Sequence, residues 1–431
     1  MKKIFPTRKK GISFLSKKWI LAICLVSIAG NTPATQPPKS GKAYVVSNAH
    51  MDTQWLWTVQ TSIIDYIPRT IYQNLALIRD YPNYIFNFEG AIKYNWMKEY
   101  YPLDYEKVKE AIKNGRWHVS GSSWDANDVN VPSPESSFRN ILLGQEFYKK
   151  EFGLKSTDIF LPDCFGFGYT LPSIAKHCGL IGFSTQKLGW RKKPFYGDSK
   201  IPFTIGRWKG IDGAELICAL DCGSYVHNFK DDDLTKDNDL IQRVERDPMR
   251  TAYRYFGAGD RGGSAMPVSA MAIEKAQVSG DGPIEIVCAS SDQLYKDYLH
   301  SGKVKELPVF DGELLMDVHA SGCYTSQSAM KRFNRRNEQL ADAAERASVM
   351  AEWLGALPYQ SKTLTESWQR FIWHQFHDDL TGTSIREAYP FSWNDEILSQ
   401  TQFMQVMNTA SGAVISGMNT KVKGIPVVIY N

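Results

Sequence analysis

Cysteine is scarce, seven in 431 residues, and no two are spaced Cys-x-x-Cys. That spacing builds zinc knuckles and thioredoxin-type redox sites, so neither is expected. The six cysteines beyond residue 30 form an even set that permits a disulfide without demanding one, and buried free thiols are the preferred reading. No apolar run reaches the ~20 residues that span a bilayer. Internal repeats and glycine fingerprints for dinucleotides or phosphates are also missing, which argues against solenoids and nucleotide enzymes. Excess positive charge is missing from the body of the chain. The formal charge is +4, but Lys2, Lys3, Arg8, Lys9, Lys10, Lys17 and Lys18 lie in an opening segment without one acid. Without those seven the charge becomes −3, so nucleic acid is not an expected partner.

What is present describes an ordinary globular protein: 43% hydrophobic, 22% charged and 13% aromatic residues. The length suits two or three domains, or one large α/β barrel with an appendage. The basic opening leads into Trp19–Gly30, about a dozen apolar residues ending in small ones. Residues 1–30 therefore read as a secretory signal peptide, with an uncleaved anchor as the alternative, and 31–42 as a linker. Export to the periplasm or beyond is expected, with no stable membrane association after cleavage.

From 43 to about 312, β-rich runs alternate with helical stretches. Strands are expected at 43–47, 84–88, 117–120, 158–161, 181–184, 216–220, 253–256 and 284–288. Helices are expected at 62–79, 105–114 and 135–152, the last opening on Ser133-Pro-Glu. This alternation predicts a parallel sheet flanked by helices, open or closed into a barrel. From 313 to 420 the texture is helical, with stretches at 324–354, 364–378 and 386–418 that read as a bundle. Residues 421–431 turn β-like again, around Pro426–Tyr430.

Four segments carry chemistry. His50-Met-Asp52 follows the first strand, where functional side chains of parallel α/β folds gather. Asp163, in Leu161-Pro-Asp-Cys-Phe-Gly166, sits at another strand end as a metal ligand, a nucleophile or a turn former. His374-Gln-Phe-His377-Asp378-Asp379 sets two histidines three apart on an expected helix face. Asp260 lies in the glycine-rich Phe256–Gly263 as an acid or as an ion-pair partner of Arg261. Two His and two Asp match the nitrogen and oxygen preferences of zinc. Asp163 and Asp260 would be the two carboxylates that glycosidic cleavage requires.

Assembled in order, these motifs resemble glycoside hydrolase family 38, the α-mannosidases, particularly its bacterial members. The resemblance runs over Asn48-Ala-His50-Met-Asp52-Thr-Gln-Trp55, Trp124-Asp-Ala-Asn-Asp128, Leu161–Gly166 and Ser184-Thr-Gln-Lys187. It continues through Gly257–Gly263, Asp311–Leu314, Tyr324-Thr-Ser-Gln327, Lys331–Arg336 and His374–Ser384. It implies a seven-stranded parallel β/α barrel (43–312) and a three-helix bundle (313–420), with 421–431 opening a β-domain that is otherwise missing. It implies one Zn2+ held by His50, Asp52, Asp163 and His377, with Asp163 also the nucleophile of a retaining mechanism and Asp260 the general acid/base. Trp55, Asp128 and Tyr324 would contact a mannose-containing glycan. His227, His319 and His374 receive no role. A metal-dependent carbohydrate deacetylase, or a mannoside-binding relative with little turnover, are the alternatives.

Overall fold

A computed structural model describes residues 39–192, 201–230, 232–316 and 319–429. The signal peptide and most of the linker expected from the sequence lie outside the described residues. The first strand, β1 (Gly41–Ala49), is β-branched in its centre and buried from Ala43 onward, as a strand covered on both faces must be. β2 (Phe86–Glu89), β3 (Trp117–Ser120), β4 (Asp158–Phe160), β5 (Gly166–Phe167) and β6 (Gly182–Ser184) follow. Then come β7 (Ile205–Lys209), β8 (Glu215–Ala219), β9 (Thr251–Ala258), β10 (Ile284–Cys288), β11 (Val309–Asp311) and β12 (Leu314–Leu315).

These strands do not form one closed ring of seven. One parallel sheet joins β1 to β2, β9 and β10, with β3 beyond β2. A second runs β11-β7-β8-β6-β4, in which β7 is antiparallel to β8. The short pair β12-β5 is antiparallel. Isolated bonds join the two larger sheets at their edges. After β3, the Ser122 N–H donates to Asp158 O at 3.0 Å; beside β9, the Tyr255 and Gly257 N–H groups donate to Cys222 O and His227 O at 2.8 and 2.7 Å. In place of the expected seven-stranded barrel there are two five-stranded sheets that meet at two seams. The antiparallel hairpin β7-β8 takes up ladder bonds that a simple parallel ring would not use.

Helices cover the sheets. Pro134–Phe152 begins on Ser133, whose Oγ accepts the Ser136 N–H, and stops at Gly153 in the left-handed conformation. Helices at Asn238–Arg246 and Pro267–Ser279 escape the sequence reading; the first buries only Leu240 and Val244. The bundle consists of Ser328–Trp353, Ser361–Ile372 and Tyr389–Ser416. It shares one apolar core with the first sheet, where Trp373 meets Trp96 edge-on at 6.1 Å. Among the described residues no helix is long and apolar enough to cross a membrane.

Two expectations need correction. The middle bundle helix ends at Ile372, not near 378; a single 3₁₀ turn follows and Phe376 turns extended. His374 and His377 therefore do not share a helix face. Residues 421–429 form no strand, and Ile425, Val427 and Ile429 are exposed, because no neighbouring strand accepts their backbone bonds; Tyr430 and Asn431 lie outside the described residues. The six described cysteines are free thiols, four of them buried.

Candidate metal centre and active-site cleft

The carboxyl end of β1 is held against the end of β9. The His50 N–H donates to Ala258 O at 3.2 Å and the Asp52 N–H to Asp260 O at 2.8 Å. Two candidate segments far apart in sequence are thereby laid side by side. Asp163 arrives from the turn after β4, and His377 from the irregular segment after the middle bundle helix.

His50 and His377 are fully buried with one ring nitrogen committed. His50 Nδ1–H donates to Glu89 Oε1 at 3.1 Å, and His377 Nδ1–H to Ala126 O at 2.8 Å. Each Nε2 then faces inward as a lone pair, the tautomer a metal ligand needs. Nε2 of His50 and Nε2 of His377 are buried facing Asp52 Oδ1, at 3.0 and 3.3 Å, but none of the three atoms makes a well-formed hydrogen bond. Native structures rarely leave three such atoms converging, unless an ion accounts for them. Ligand atoms of His50, Asp163 and His377 lie within 4.8 Å of one another, as do those of Asp52, His377 and Asp378.

The electrostatics agree. Burial works against charge on His50, yet Asp52 and Glu89 beside it push its pKa up to about 10. Burial likewise opposes charge on Asp52, but His50 and His377 hold its carboxyl well below the usual range. Burial and the charge of Asp52 push Asp378 up to about 7. The centre is rich in carboxylates and calls for positive charge. Protons on the imidazoles supply it when no ion does, and a divalent cation bound there would displace them. Two nitrogens and several carboxylate oxygens make a donor set that such a cation fits.

Beside this centre opens a cleft of about 560 Å³, whose lining includes Trp55, Asp163, Lys187, Tyr225, Asp260 and Asp378. Asp260 takes a left-handed backbone (φ +62°), uncommon for a residue with a side chain, and its Oδ1 accepts the Tyr225 hydroxyl at 2.8 Å. The Tyr225 ring lies 5.2 Å from that of His50. Asp163 Oδ1 pairs with Lys187 Nζ at 2.7 Å, while Oδ2 lies 3.9 Å from His377 Nε2.

Six of the eight expected site residues are thus gathered: His50, Asp52, Trp55, Asp163, Asp260 and His377. Asp128 and Tyr324 are paired with each other instead, hydroxyl to Oδ1 at 2.6 Å. Asp128 Oδ2 accepts the Asn130 and Val131 N–H groups. Both oxygens of Asp128 are engaged in fixing its loop. Among residues without an assigned role, Glu89 orients His50 and itself leans on buried Lys93 at 3.3 Å. Only its place at the end of β2 signalled it. His374 sits between Asp379 (2.6 Å) and Asp395 (3.2 Å), inside the bundle. His319 stacks on Trp190 at the cleft rim.

Comparison with known proteins agrees with this geometry. Residues 40–313 match the profile "Glycosyl hydrolases family 38 N-terminal domain" and 319–411 that of the "Alpha mannosidase middle domain". Alpha-mannosidase G of Dictyostelium discoideum is 32% identical over 88% of this chain and 33% of its own length. Alpha-mannosidase 2C1 of Homo sapiens is 30% identical over 80% of this chain and 32% of its own. The chain spans about one third of the length of these curated relatives. The crystal structure of an alpha-mannosidase from Enterococcus faecalis V583 shares the fold. It aligns with a TM-score of 0.74 at 18% identity, covering 89% of this chain and 44% of that one.

Proposed function

The chain belongs to glycosyl hydrolase family 38, and from that premise we propose that its cleft hydrolyses terminal α-mannosyl linkages of glycans with retention of configuration. The observation that carries this reading is the meeting of Asp163 and Asp260 in one cleft beside the paired imidazoles of His50 and His377. In this reading His50, Asp52, Asp163 and His377 hold one zinc ion. Bound there, zinc would supply Lewis-acid affinity for sugar hydroxyls and favour a distorted ring.

The chain's own groups do the rest. Trp55 offers an aromatic wall at the cleft for the sugar ring. Asp163 attacks the anomeric carbon while Asp260 gives a proton to the departing oxygen, forming a mannosyl ester on Asp163. Asp260 then takes the proton of an incoming water, which releases the sugar. The Tyr225 hydroxyl fixes the Asp260 carboxyl through both steps. Asp128 and Tyr324 serve indirectly, by steadying the segment whose Ala126 carbonyl orients His377. Export by the basic-then-apolar leader belongs to the same reading.

The test is hydrolysis of a nitrophenyl α-mannoside by the purified chain, with metal content measured alongside. Activity should vanish on chelation, return with zinc, and be absent in Asp163→Ala. Acetate release from acetylated sugars without mannoside hydrolysis would refute the reading.

A further inference from the structure

Lysine is normally a hydrated, mobile charge on a flexible stem. Lys187 is neither. It is 4% exposed, and its ammonium lies over the rings of Phe165 and Trp190, at 4.8 and 5.1 Å from their centroids. Trp190 is itself backed by the stacked ring of His319 at 4.9 Å. The backbone N–H of Lys187 donates to Thr185 Oγ1, and β6 delivers the whole segment to the cleft. From this seat Nζ reaches Asp163 Oδ1 at 2.7 Å. Lys187 closes the Ser184-Thr-Gln-Lys187 motif, yet it takes no part in the mechanism proposed for the cleft.

We propose that Lys187 is the positioning residue of Asp163, and that its fixed charge chiefly speeds discharge of the covalent intermediate. The inference rests on the proposed retaining mechanism. As a carboxylate, Asp163 carries a full negative charge opposite the ammonium; as a mannosyl ester it carries none. A fixed cation held by two rings and screened from water therefore stabilises the carboxylate more than the ester. In the first step this tempers the nucleophile. In the second it favours the leaving group. There the bond between the anomeric carbon and the Asp163 oxygen breaks, and its electron pair returns to the carboxylate facing Lys187. A water oxygen bonds to the carbon and its proton passes to Asp260. The two steps feel the same charge in opposite directions, which a merely structural lysine would not produce.

The experiment uses the metal-loaded full chain and a nitrophenyl α-mannoside, comparing wild type with Lys187→Met and Lys187→Arg. Lys187→Met should lower kcat on the order of tenfold or more, with a stoichiometric burst of nitrophenol. Intact mass should show a mannosyl adduct accumulating on the variant, and KM should fall with kcat. Lys187→Arg should remove most of the burst. Metal content and circular dichroism verify the fold; if Lys187→Met does not fold, Lys187→Gln replaces it. A folded variant with reduced kcat and no burst or adduct would overturn the inference, as would unchanged kcat. A wild type inactive on all α-mannosides would refute the proposed function itself, a result visible before any variant is made.

Discussion

His374 and His377 stand three residues apart and serve different parts of the molecule. His377 turns its Nε2 into the centre, 3.3 Å from Asp52 Oδ1, whereas both nitrogens of His374 are taken by Asp379 and Asp395 inside the bundle. Their substitutions should therefore separate. His377→Ala, like His50→Ala or Asp52→Ala, should lose metal and activity together, read by elemental analysis of the purified protein. His374→Ala should keep its metal but lose about 3–5 kcal/mol in denaturant unfolding, because it strands buried carboxylates. A different separation is expected at Asp260. Asp260→Asn should leave metal bound and lower kcat/KM for alkyl mannosides far more than for nitrophenyl ones, since in the first step only the former need a proton on departure. Equal slowing of both would move the acid role to another residue.

The carboxyl ends of β1, β4 and β9 and the break after the middle bundle helix bring the histidines and carboxylates of the centre together. Much of this was legible locally. β3 and β10 match their sequence reading to the residue, because dense β-branched and aromatic residues have few other uses. The helix break was hidden, since Trp368, Phe371, Trp373 and Phe376 keep a helix-like spacing past the last helical bond. β7 was missed as well: Gly206 and its charged neighbours obscure an alternation that only pairing with β8 makes a strand. The two seams depend on partners distant in sequence, and so does the Asp128–Tyr324 pair, which the family motifs read as substrate contacts. The bundle interior carries its own test. Burial pushes Glu396 up to about 8, although Asn337 and His374 pull the other way. Its folded pKa lies above the unfolded value of 4.5, so the folded state keeps the proton. Its stability contribution is complete below that value and is lost as pH rises through about 8. Glu396→Gln, which mimics the protonated form, should be more stable than wild type at pH ~9, by about 1–3 kcal/mol, and should flatten the pH dependence in denaturant titrations.

Over the whole molecule, the bundle is no separate appendage. Its middle helix packs into the core of the first sheet, and the segment after it supplies His377, so a cation held there would tie both parts into one stability. A ligand held only by the folded state adds RT ln(1 + [L]/Kd), about 3–4 kcal/mol at a hundred to a thousand times Kd. Chelation should therefore lower Tm by several degrees, zinc should restore it, and His377→Ala should abolish the difference. An unchanged Tm would mean that the centre carries no ion in solution. In the proposed mechanism Asp163 attacks the sugar and Asp260 handles the protons. The check is to follow hydrolysis of an aryl α-mannoside by the metal-loaded protein with proton NMR, before the product's anomers equilibrate. α-Mannose is expected as the first-formed product, with none of it in Asp163→Ala; β-mannose appearing first would rule out attack by Asp163.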